Sequence, residues 1–164
     1  MYNTSTQIAN YFIKKSLATG KELSPMKLIK LSYIAHGWHL ALYNGEPLLD
    51  EAIYAWKYGP VIHSLYHNFK AYGKGQITNL YYDGTDYPFP ENHKDDFLNK
   101  IWDTYSNYDG IALSAMTHQP GTPWDITWKK CGGANDVIIP NDLIQKHYEE
   151  KIEEINAKRT PILA

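Results

Sequence analysis

Cysteine is all but missing from this sequence: Cys131 is the single one in 164 residues. No disulfide framework can close within the chain, which predicts a reducing, cytoplasmic setting. A lone thiol in "KKCGGAND" carries no nucleophile signature of its own. An excess of one charge is missing too. Lys and Arg number 16 against 18 Asp and Glu, for a formal net charge of −2. Domains that grip phosphate backbones carry a basic excess, so nucleic acid is disfavoured as the main partner. No apolar run approaches the roughly 18 residues of a membrane span. The first residues, "MYNTSTQIANYF", lack the basic and apolar regions of a secretory signal, so no membrane partner is expected. No glycine-rich phosphate loop occurs, because "GKG" at 73–75 lacks the Walker spacing. Ser114 lies near His118 but has no G-x-S-x-G elbow around it. No internal repeat, low-complexity segment or linker divides the chain, so residues 1–164 are expected to form one domain, with a core over about 7–155 and a loose C-terminal tail.

What is present is apolar and aromatic. Hydrophobic residues make up 43% of the chain, charged ones 21%, and there are 14 Tyr and 5 Trp. Tyr and Trp fill cores, and they are also enriched at protein–protein interfaces. Helical periodicity dominates. Thr4 to Gln7 has the form of a T-x-x-Q capping box, with Ile8, Ala9, Phe12, Ile13 and Leu17 on one face behind it. Ser24-Pro25 supplies an N-cap and a proline at the first helical position. Leu28, Leu31, Ala35, Trp38 and Leu42 then repeat at three and four residues, and Asn44-Gly45 is a stop. Gly37, in mid-helix, costs about 1 kcal/mol relative to Ala and would let another element pack close. "EAIYAWKYG" alternates as a short strand, and Gly59-Pro60 is expected to break it and open a third helix.

That third helix has Ile62, Leu65, Tyr66, Phe69 and Tyr72 on its apolar stripe and His63, His67 and Lys70 on another face. "YYDGTDY" carries a D-G signal compatible with a hairpin or a plain loop. Asp95 to Tyr105, a short "IALSAMTH" segment and a T-x-x-D box at Thr122 to Asp125 are helical. Val137 to Ile139 forms a short strand that can pair with 52–57. A last helix starts at Asn141 with Ile144, Tyr148, Ile152 and Ile155 inside. The fold class is mainly α, with about two short strands or a hairpin.

Two readings give the histidines chemistry. His63 and His67, four apart on a helix, match a chelating pair, and His36 and His39 are three apart. A metal-dependent hydrolase would need a third ligand, and the residues between His63 and His67 (Ser64, Leu65 and Tyr66) supply no general base of the H-E-x-x-H kind. A winged-helix regulator would use the third helix for recognition, with His63, His67, Asn68 and Lys70. One lysine and no Arg is thin provision for that.

Several motifs occur in order: K-L-x-K-L-x-Y from Lys27, G-W-H-L-A-L from Gly37, A-W-x-Y-G-P-V from Ala55, and T-H…P-W from Thr117. In these the chain resembles the Panacea domain of the SocA-like antitoxins, a family also described as phage-associated proteins. It departs from the pattern at His63, where proline is common, and at His36, where Gln is common. The resemblance implies a cytoplasmic antitoxin that neutralises a cognate toxin, encoded by an adjacent gene, through direct protein contact. One family member instead delivers its toxin to the ClpXP protease. No catalytic residue, cofactor or metal is implied. Trp38, His39, Trp56, Gly59, Pro60, Val61, Tyr66, Phe69, Thr117, His118, Pro123 and Trp124 carry over as framework. The toxin-facing edge is expected at Tyr58, His63, His67, Lys70 and Tyr72.

Overall fold

The computed structural model describes residues 4–134 and 136–159; the tail at 160–164 lies outside them. The chain runs α1 (Thr4–Thr19), α2 (Pro25–Leu42), β1 (Ile53–Trp56), β2 (Gly59–Val61), α3 (His63–Phe69), a single 3-10 turn (Lys70–Tyr72), α4 (His93–Tyr105), α5 (Gly110–Thr117), α6 (Pro123–Lys130), β3 (Val137–Ile139) and α7 (Asn141–Arg159). It is mainly α, as expected.

The second helix is the axis. Ser24 caps it, accepting from the Lys27 N–H, and Pro25 opens it. A helix that is apolar all round must be buried all round, and α2 is, from Lys27 to Gly37 without a break. It touches α1, α3, α4, α5, α7 and β2. Phe12 of α1 and Trp102 of α4 stack beside it with centroids 6.2 Å apart. Trp38 donates its indole N–H to the Tyr105 hydroxyl at 2.9 Å. Gly37 is where α7 crosses: a Cβ there would overlap the Tyr148 ring.

The strands form one antiparallel sheet in the order β2-β1-β3. Pairing of Val137–Ile139 with β1 is as expected, with Ala55 opposite Val137. The third strand was not foreseen. Gly59-Pro60 does not open a helix; it starts β2, and Trp56 faces Gly59 across a two-residue turn. Proline is tolerated because β2 is an edge strand, where a missing N–H costs no ladder bond. The winged-helix layout fails here too. The hairpin precedes α3 instead of following it, and α3 has only seven residues. Of the two forms open to "YYDGTDY", a loop is found: the Asp83 carboxylate accepts from the Thr85 N–H at 3.0 Å, closing an Asx turn.

Other differences are local. The T-x-x-Q box does not close on itself. Thr4 Oγ1 accepts from the Asp50 N–H at 2.9 Å, and Gln7 donates to the Pro88 carbonyl at 2.8 Å. Leu17 is 52% exposed and Ile155 is 43% exposed, because α1 and α7 both run past the edge of the core.

Two predictions follow from α2. Gly37→Ala should gain about 1 kcal/mol of helix propensity and lose about 1–3 kcal/mol to overpacking against Tyr148. Net destabilisation in chemical denaturation, partly relieved by adding Tyr148→Leu, is expected; a stabilised Gly37→Ala variant would show that α7 does not press on this site. The second concerns His36. Its Nδ1 accepts from the Leu49 N–H at 3.2 Å, so its Nε2 carries the proton toward Asn141 Oδ1 at 3.0 Å. Burial holds its pKa below the ordinary 6.5. The unfolded chain therefore binds a proton here that the folded one refuses. Stability is full above 6.5 and falls as pH drops below it. His36→Gln should lose less melting temperature than the parent between pH 7 and pH 5, while His39 and His147, also depressed by burial, keep part of the slope.

Candidate functional site

The hairpin is held from three sides. Trp124 of α6 donates its indole N–H to the Trp56 carbonyl at 2.5 Å, and it stacks on Trp128. Ser114 of α5 donates to the Tyr58 carbonyl at 2.8 Å. Lys30 of α2 donates to the Pro60 carbonyl at 2.8 Å. Gly59 has φ +116°, and a Cβ there would lie 2.9 Å from Lys30 Nζ. Only glycine combines that backbone with that approach. Thr117 is buried beside this contact, Pro123 is buried at the start of α6, and His118 packs edge-on against Trp124.

Between α2, the hairpin and α3 lies a groove of about 660 Å³, lined mainly by apolar atoms. Met26 and Ile29 form one wall; Trp56, Tyr58, Val61 and Tyr66 form the other. Tyr58 is 64% exposed and Tyr66 38%. Tyr66 sits edge-on to Trp56 with centroids 4.8 Å apart. Lys57 and Lys70 stand at the rim, and Lys30 lines the floor. Lys30 is only 3% exposed. Burial, with no charged group compensating it, pushes its pKa down to about 7.

Of the expected toxin-facing residues, Tyr58 and Lys70 line this groove. His63 is next to it. Its ring lies flat on Tyr54 at 3.8 Å, and its Nε2 meets Asp136 Oδ1 at 2.6 Å. The Trp56 indole N–H donates to the same oxygen at 2.9 Å. These two hydrogen bonds, Trp56 first, hold the Asp136 carboxyl below its ordinary pKa. His67 is exposed, 6.5 Å from the His63 ring. Tyr72 is half-buried and stacks on Phe69. Among the expected framework, Tyr66 is on the surface, while Gly59, Pro60, Val61 and Phe69 are buried; Trp38 is half-buried and His39 is in the core.

The histidines do not assemble a metal centre: among the described residues no three His, Cys, Asp or Glu side chains are grouped so as to hold a metal ion. His36 and His39 point into separate contacts, and His39 Nδ1 donates to the Glu46 carbonyl at 2.7 Å. Ser114 donates to the Tyr58 carbonyl at 2.8 Å, and its Oγ lies 3.4 Å from His118 Nδ1. Sequence reasoning missed Met26, Ile29, Lys30 and Asp136. Lys30 had a signal: a lysine inside "MKLIKLSY", on a helix with no polar face.

Residues 28–125, which take in most of α2 and all of the hairpin and α3, match the family described as antitoxin SocA-like, Panacea domain. A relative, antitoxin SocA of Caulobacter vibrioides, is 30% identical over 127 residues, which is 73% of this chain and 67% of that protein. The chain belongs to the SocA-like Panacea family. No solved structure matches it. The matched span of this Panacea domain includes Lys30, the whole hairpin and Trp124, so the hairpin and its three supports lie inside the family region. Among the described residues no helix is long and apolar enough to cross a membrane.

The floor lysine makes a stability prediction. Its folded pKa of about 7 lies below the ordinary 10.5. The desolvation cost is complete below pH 7 and fades as pH rises toward 10.5. That cost, a few kcal/mol, exceeds the ~1–3 kcal/mol of leaving the Pro60 carbonyl unpaired. Lys30→Met should melt higher than the parent at pH 6, with the advantage shrinking toward pH 10. Equal melting at both pH values would mean that the amine is solvated.

Proposed function

We propose that this Panacea domain is the antitoxin of a two-component module, neutralising its toxin by direct binding with no catalytic step of its own. The observation that carries the reading is the family membership joined to an open apolar groove rimmed by exposed tyrosines. Large amphipathic aromatics around a concave apolar surface are what protein partners engage. The toxin-facing surface is the groove between α2, the hairpin and α3, with Tyr58, Tyr66 and Lys70 on it and His63 and His67 at its margin.

The test is co-expression with the product of the adjacent gene. That product should arrest growth alone and be harmless beside the intact antitoxin. Tyr58→Arg, an exposed turn substitution expected to leave melting unchanged, should weaken toxin binding at least tenfold and restore toxicity. A neighbour that is harmless alone, or lethal despite the antitoxin, would remove the reading. Rescue by Tyr58→Arg equal to the parent would move the surface elsewhere. Direct binding also predicts rescue in cells lacking ClpXP, whereas delivery of the toxin for proteolysis predicts none.

A further inference from the structure

The groove has a charge preference built into it. Three of its lining residues are lysines, and Asp136 is the one carboxylate. Asp136 Oδ1 is already committed to Trp56 and His63. Lys57 lies over its neighbour Tyr58, 5.5 Å from the ring centroid. Lys30 is different. An ammonium has three donors, and among the described residues the Pro60 carbonyl is its hydrogen-bond acceptor. Its stem is fixed on α2 and its amine is wedged against Gly59, so it is positioned before any partner arrives. A buried cation without a counter-charge is among the costliest side chains to keep, and an apolar residue of the same shape would serve the core better.

We infer that the groove takes a carboxylate carried on an apolar segment of the toxin, a Glu or Asp side chain that forms an ion pair with the Lys30 amine. The inference rests on the groove being the toxin-facing surface. Apolar neighbours of that acid would cover Met26, Ile29 and Val61, and the rim lysines would attract the approaching segment. Lys30 is neutral for much of its population near pH 7 and must be charged to form the pair, so binding takes up a proton. The other titratable groups lining the groove are Lys57 and Tyr58 on the hairpin, Tyr66 and Lys70 beyond it, and Asp136 before β3, which is paired with His63 of α3. Lys27, one turn back on α2, is directed to the Ser106 carbonyl, and His118, just past α5, faces Ser114.

The test uses the intact chain and two probes of one shape, 4-phenylbutyrate and 4-phenylbutanamide. Binding is followed by NMR at the Met26 methyl and the Trp56 indole. The acid should bind at least tenfold tighter than the amide at pH 7, and its advantage should fall by up to tenfold per pH unit above that, as the unliganded amine loses its proton. Lys30→Met should keep the amide's affinity and lose the acid's advantage. Equal affinities, an acid preference that survives in Lys30→Met, or no shift by either probe would each overturn the inference. The probes need no toxin, so their failure removes the carboxylate site and leaves direct neutralisation standing. Failure of co-expression removes neutralisation whatever the probes show.

Discussion

The fold depends on a helix with no solvent face. From Lys27 to Gly37 every residue of α2 is buried, so each surrounding element exists to cover part of it. That makes polar groups on α2 a problem to be solved one at a time. Ser32 returns its proton to the Leu28 carbonyl at 2.8 Å. His36 spans from Leu49 to Asn141. His39 spends its Nδ1 proton on Glu46, which leaves its buried Nε2 as a bare lone pair. A missing donor is easier to tolerate there than an orphaned N–H would be. The polar atoms of α2 thus define where the loops before β1 and the start of α7 must sit.

The groove is a consequence of the same helix. Met26, Ile29 and Lys30 lie at its N-terminal half, where coverage comes from a short hairpin and not from another long helix. The hairpin is too small to be stable alone. Trp124, Ser114 and Lys30 hold three alternate carbonyls, those of Trp56, Tyr58 and Pro60. With its backbone anchored this way, the turn can project Tyr58 into solvent without collapsing onto the core. An exposed aromatic on a fixed turn loses little entropy when a partner covers it.

Periodicity made the helices legible, since the apolar spacing in α2, α4 and α7 is that of elements packed on one core. Proline at 25 and 123 behind a Ser or Thr cap marked two starts to the residue. The hairpin was half legible. Alternation identified β1, but Gly59-Pro60 is a breaker in both helix and strand, and only the pairing with Trp56 and Ala55 decides between them. The groove was least legible. Tyr58 and Lys70 stood out as polar or aromatic residues in a dense motif, whereas Met26 and Ile29 look like any core positions. Asp136 is 80 residues from Trp56 in sequence, and no local pattern joins them.

The histidine pair illustrates why spacing alone misleads. His63 and His67 do fall on one helix, but His63 is drawn away by Tyr54 beneath it and Asp136 beside it. A ring already stacked and already hydrogen-bonded is oriented for structure, and here it orients the carboxylate that also receives Trp56. Lys30 is the reverse case. It looks like an ordinary helix lysine by sequence, yet its amine is buried at the floor of the open surface with one carbonyl for company. The core histidines each return two contacts for their burial or close a loop. Lys30 anchors one carbonyl of a hairpin that has two other supports. A desolvated cation is a large cost for so small a structural return, and the groove above it is where the difference can be recovered, on the arrival of an opposite charge.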